Sequence, residues 1–146
     1  MPSRRRSRES ALQMIYQWGI GGGSPEKVVE DFFGGLAGDG PRPVDPFAER
    51  LFVGVTQEVK ELDAIIQRHS SRWSPERMST VVRDLLRLAI AELRWAKTPP
   101  RVVIDEALEI GRRFAGDDAT AFLNGVLDAA RREAESQPKA QRSATT

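Results

Sequence analysis

Four arginines fall within five positions near the N-terminus, in the run Arg4-Arg5-Arg6-Ser7-Arg8. Guanidinium groups pair bidentately with phosphate and stack on bases, so such an arm suits single-stranded RNA as well as duplex DNA. Four neutralised phosphates would give a logarithmic salt slope of roughly −3 on a single strand, at about −0.7 per contact. A solubilising terminus would look the same, and the run is too short to decide. Tyr16 and Trp18 follow on the next segment, and Phe122 stands near the start of the last one. Aromatic rings near a cationic arm serve as stacking platforms for unpaired bases, although helical spacing alone favours the core for all three.

Other chemistry finds less support. The densest acidic group is Asp105, Glu106 and Glu109, with Asp105 and Glu109 four residues apart on one helix face. Acid–base work by paired carboxylates needs an apolar pocket to separate their pKa values, whereas Arg101, Arg112 and Arg113 at helix-pair distances predict a solvated, charge-laced face. The run Gly19-Ile20-Gly21-Gly22-Gly23 follows a helix and lacks a Gly-Lys-Ser/Thr ending, which excludes a phosphate loop or a dinucleotide fingerprint. The chain has no cysteine and one histidine, His69. Thiolate zinc sites, cysteine nucleophiles and multi-histidine metal sites are thereby excluded, and neither a metal nor a cofactor is expected. His69 reads as a surface group or a partner for a helix C-terminus. The expectation is binding without catalysis, with a small hydrolase working through residues 105–109 as a remote alternative.

The net charge of +1 on 146 residues argues against a nucleic-acid ligand only until it is read by region. Residues 1–9 carry four arginines against Glu9, and residues 131–146 carry four basic groups against Glu133 and Glu135. The 121 residues between them have an acidic excess of four. An arginine arm thus precedes an acidic body. No apolar run is long enough for a membrane span, and Glu9, Ser10, Gln13 and Gln17 interrupt any signal-like stretch, so a cytoplasmic protein is expected.

These residues need a scaffold, and the apolar periodicity is helical almost throughout. The pattern predicts an all-α chain of six or seven helices, the length of one ordinary domain, with a basic arm over 1–8, a helical body over 9–134 and a disordered tail over 135–146. The first helix covers about 7–19 and ends at the glycine run. Ser24-Pro25-Glu26 opens a short helix that Gly34-Gly35 stops. Seven glycines and prolines make 34–46 a loop. Asp45-Pro46 begins the longest helix, with Phe47, Leu51, Val55, Leu62, Ile65 and Ile66 on one face. Ser74-Pro75-Glu76 repeats the start signal ahead of a helix near 80–97. Thr98-Pro99-Pro100 separates it from a helix over 100–115 with Val103, Ala107, Ile110 and Phe114 inward, and Asp117 or Asp118 caps the last helix beyond Gly116.

Several of these pieces together resemble the NusB family of transcription antitermination factors. They are the stretch from Arg4 to Trp18, Arg87-Leu88-Ala89-Ile90-Ala91-Glu92-Leu93, Pro100-Arg101-Val102-Val103-Ile104-Asp105-Glu106-Ala107-Leu108-Glu109-Ile110, and Phe122-Leu123-Asn124-Gly125-Val126-Leu127-Asp128 after Phe114. The resemblance covers about 4–130. It implies about seven helices in two small bundles and no enzymatic activity. It also implies binding of boxA-type single-stranded RNA together with NusE, a small-subunit ribosomal protein, within the elongating RNA polymerase complex and its other Nus factors. Carried over by position, Arg4, Arg5, Arg6 and Arg8 hold RNA phosphates, while Tyr16, Asp118 and Phe122 lie at or near the RNA. An acidic face would steer a basic ribosomal protein, and Glu106 and Glu109 are expected at the NusE surface. Some members self-associate, and a homodimer would mask the RNA surface. Two departures stand out: Asp105 replaces the asparagine common in the family's Ile-Asn-Glu-Ala run, and the Gly/Pro-rich loop 34–46 has no clear counterpart. A related helical domain precedes RNA cytosine methyltransferases, but the chain is too short to be expected to hold their catalytic domain.

Overall fold

A computed structural model describes residues 3–36, 38, 40–71 and 78–136. Six α-helices occur in order among them: α1 (Arg4–Gly21), α2 (Pro25–Asp31), α3 (Pro46–His69), α4 (Thr80–Trp95), α5 (Pro100–Ala115) and α6 (Asp117–Ser136). The expected all-α class is what forms. The chain divides into two compact units, Met1–Gln57 and Glu58–Thr146. The boundary falls inside α3, where Glu58 leaves helical geometry with φ −121° and ψ 20°.

Helix α1 opens three residues before the apolar pattern predicts. Ser3 caps it, its Oγ accepting the Arg6 N–H at 3.1 Å, so the segment read as an arm is helical from Arg4 onward. Periodicity is blind to this start because the first turn carries arginines instead of apolar residues. At the other end Gly22 takes φ +67° and donates its N–H to the Trp18 carbonyl at 2.8 Å. Ser24 caps α2 through the Lys27 N–H, as Ser-Pro-Glu predicts. The chain then makes a wider, π-type turn over Phe32–Leu36, and Gly35 at φ +111° lets it leave. Asp45 starts α3 by accepting the N–H groups of Phe47 and Ala48 with Oδ1. The core of the first unit joins Ala11, Met14 and Ile15 of α1, Val28 and Val29 of α2, Phe32 and Phe33, and Leu51, Phe52 and Val55 of α3.

In the second unit α4, α5 and α6 pack on one another, with Leu62, Ile65 and Ile66 of α3 also buried. Helix α4 buries every residue from Asp84 to Glu92, as a wide apolar face predicts, and ends at Trp95. Gly111 permits the close approach of α5 and α6: a Cβ there would run into Leu123 and come within 3.4 Å of Leu85. Three expectations change. Asp117 and Asp118 form the first turn of α6 instead of capping it. Phe114 is not inward but half exposed, because the last turn of α5 places it on a surface cleft that Val81, Val82 and Phe122 also line. Phe47 is only half buried, lying under arginine side chains of α1. The Ser74-Pro75-Glu76 signal and the tail beyond Ser136 lie outside the described residues, and Glu135 and Ser136 are helical.

Candidate nucleic-acid interface

The first turn of α1 presents Arg4, Arg5 and Arg6, all exposed, with no acidic residue among them. This runs against the helix dipole, which disfavours cations at an N-terminus by roughly 0.3–1 kcal/mol each. The turn is held from behind. Ser7, 2 % exposed, donates its hydroxyl to Asp45 Oδ2 at 2.5 Å, which ties α1 to the start of α3. The Arg4 guanidinium lies 3.9 Å over the Phe47 ring and that of Arg8 lies 5.6 Å from it. Arg8, only 4 % exposed, belongs to the support of the turn, unlike its three neighbours.

Further along α1, Tyr16 is 44 % exposed, so the core placement favoured by spacing fails for it. Eleven residues from Arg5, it returns to nearly the same helix face about 16 Å along the axis, at 1.5 Å rise per residue. Trp18 is half buried. The loop preceding α3 adds a cation that sequence reading did not single out. Arg42 sits 5.3 and 5.0 Å over the rings of Phe32 and Phe33 and reaches the Ser10 hydroxyl at 3.5 Å. The edge-to-face rings, 5.0 Å apart, form its platform. A surface cleft of about 800 Å³ lies between this loop and the arginine turn.

Asp118 and Phe122 belong to the second unit. Asp118 is exposed on the first turn of α6, and Phe122 is 7 % exposed one turn later. Both line a cleft of about 350 Å³ with Phe114, whose ring is 50 % exposed and lies 5.4 Å from the Arg113 guanidinium. The aromatic surface this cleft offers is mainly Phe114, with Phe122 as its buried base.

On α5, Asp105 and Glu109 are exposed and Glu106 is half buried. Glu109 accepts from Arg112 at 2.5 Å, so the group is a solvated charged face without the apolar pocket that acid–base chemistry requires. His69 ends α3 as expected, with Nε2 3.5 Å from Glu133. Glu133 also receives both forks of Arg68, at 2.9 and 3.0 Å, and that hydrogen-bonded pair holds its carboxyl below the usual range.

The described residues define a small all-α protein with an exposed arginine turn at its first helix. The NusB family profile matches residues 5–132, and the chain belongs to that family. It is 41 % identical to the transcription antitermination protein NusB of Solibacter usitatus, over 91 % of each chain. Among solved structures, T. maritima NusB is 30 % identical with a TM-score of 0.78, covering 97 % of this chain and 98 % of that one. A complex of the antitermination factors NusB and NusE with double-stranded RNA holds a chain that is 27 % identical, with a TM-score of 0.75 and 89 % and 96 % coverage.

Proposed function

We propose that this chain is an RNA-binding transcription antitermination and elongation factor. It binds boxA-type RNA together with NusE, joins the elongating RNA polymerase complex with other Nus factors in the cytoplasm, promotes ribosomal RNA transcription and catalyses no reaction. The observation that carries the reading is the exposed triplet Arg4, Arg5 and Arg6 on a helix terminus whose own dipole opposes it. The arrangement works against local stability, and phosphate oxygens reverse that by meeting both the guanidinium groups and the terminal N–H groups. Family membership and the related complex with NusE and RNA support the same reading. No helix among the described residues is long and apolar enough to cross a membrane.

Arg4, Arg5 and Arg6 hold phosphates, and Arg8 braces them through Phe47. Tyr16 stacks on a base. Asp118 accepts hydrogen bonds from a base edge, since a carboxylate repels phosphate, and Phe122 shapes the surface beside it. Glu106 and Glu109 offer acidic groups to the basic NusE. The affinity of the arginine turn fades with salt, whereas stacking persists. The test is titration of boxA RNA and a scrambled RNA, each single- and double-stranded, with and without NusE. Preference for boxA in the presence of NusE is expected, and replacing Arg4, Arg5 and Arg6 by alanine should flatten the salt slope by about 2. Equal affinity for boxA and scrambled RNA with NusE present would reduce the protein to a helical adaptor without sequence choice.

A further inference from the structure

The cleft between the arginine turn of α1 and the loop before α3 shares Arg4 and Arg6 with the phosphate-holding turn and adds Arg42, Val44 and Phe47 to it. Three arginines, Arg4, Arg6 and Arg42, line it from two separate segments. Among the described residues no carboxylate pairs with any of the three. The one acidic side chain in the lining, Asp45, is 8 % exposed and already receives the Ser7 hydroxyl and two backbone N–H groups. The lining therefore carries a net charge of +2 with its carboxylate engaged elsewhere. Its floor is apolar, with Val44 43 % exposed and the Phe47 ring backing Arg4 at 3.9 Å. A volume of about 800 Å³ lies within the range of small-ligand sites.

We propose that this cleft takes one unstacked nucleotide of the bound single-stranded RNA, with its base on the Arg4–Phe47 stack and its flanking phosphates on Arg6 and Arg42. The chemistry follows from the lining. A guanidinium backed by an aromatic ring offers a flat cationic face, on which a nucleobase stacks without regard to its hydrogen-bonding edge. Two cations on opposite segments match the two phosphates that bracket a single nucleotide, and the exposed apolar floor favours a base over a bare anion. Arg42 is held at the edge of the cleft on the rings of Phe32 and Phe33, so residues 42–46 of the Gly/Pro-rich loop become part of the RNA surface. The inference rests on the RNA-binding reading above.

The test uses the full chain together with NusE and single-stranded boxA RNA carrying 5-iodouridine at successive positions. Irradiation should cross-link one position to the cleft lining within residues 42–47. Arg42→Gln should flatten the salt slope by about 0.7 while Arg42→Lys retains it. Phe47→Leu should weaken binding about tenfold with the slope unchanged. Circular dichroism melts identify any variant that fails to fold, in which case the wild-type cross-link decides. Wild-type binding with no cross-link in residues 42–47 and unaltered Arg42→Gln titrations would overturn the cleft and leave RNA binding standing. Absence of wild-type binding would overturn both.

Discussion

The guanidinium of Arg87 donates to both oxygens of Asp63 at 2.8 and 2.9 Å and to Asp84 Oδ1 at 3.1 Å. Asp84 is 1 % exposed, and burial pushes its carboxyl up against the pull of Arg83 and Arg87. Burial also works against the charge on Arg87, yet the bonds to Asp63 and the attraction of both carboxylates hold it above its ordinary value. Arg87→Met leaves buried Asp84 with only Arg83, at 3.6 Å, as a cationic partner and should lower unfolding stability by about 3 kcal/mol at neutral pH, measured by urea denaturation. A group whose folded pKa is raised contributes stability below its unfolded value and loses it as pH rises through the folded one. The Arg87→Met deficit should therefore shrink on acidification; a deficit constant with pH would remove Asp84 from the account. Glu133 has the opposite sign. Its lowered value, caused by Arg68, contributes stability above the unfolded carboxylate range and loses it as pH falls through the folded one. With Arg68 half exposed, solvent screening limits the pair to about 1 kcal/mol at most. Arg68→Gln should flatten the acid limb of stability against pH by no more than that.

At the level of elements, α5 and α6 approach closely because Gly111 has no side chain. Gly111→Ala forces the buried Leu123 aside and should cost about 1–3 kcal/mol despite the better helix propensity of alanine, read as a lower Tm with helix content retained. An unchanged Tm would mean that Leu123 repacks freely. In the first unit Asp45 serves both the start of α3 and the hydroxyl of Ser7. Asp45→Ala should cost about 0.5–2 kcal/mol from the lost cap and the lost tie to Ser7, whose hydroxyl keeps the Ser3 carbonyl at 3.1 Å, and Asp45→Asn less because it keeps an acceptor. The start of α2 and the bounds of α5 were legible because capping chemistry is local, whereas α2 ends at Asp31, three residues before the predicted glycine stop, where the chain widens into the π-type turn. The early start of α1 was not, since Ser3 precedes a turn of arginines with no apolar stripe. Phe114 misled for a related reason: its spacing is that of a core residue, but exposure depends on what packs opposite.

For the whole molecule, the net charge of +1 averages an arginine terminus with an acidic body. Each sign serves a different partner in the proposed role. Replacing Glu106 and Glu109 by lysine should weaken NusE binding several-fold at low salt, with the gap closing as salt is raised. Isothermal titration at two ionic strengths measures this; equal affinities for wild type and variant at low salt would move the partner surface away from α5. RNA affinity without NusE should not fall in that variant, because neither glutamate is among the proposed RNA-holding residues. Concentration-dependent light scattering completes the test by showing whether self-association competes for the RNA surface.

The sequence by itself determined the helical class, most helix boundaries, the exclusion of thiolate and multi-histidine chemistry, and the family through ordered motifs. These rest on periodicity, capping and residue type, all properties of neighbouring positions. The tertiary structure alone decided that Ser7 meets Asp45 across 38 residues, that Arg8 is withdrawn while Arg4, Arg5 and Arg6 stay exposed, and that Arg42 and Phe47 share a cleft with the arginine turn. Each is a contact between distant segments, where burial depends on the facing element, and no local pattern records which element that will be.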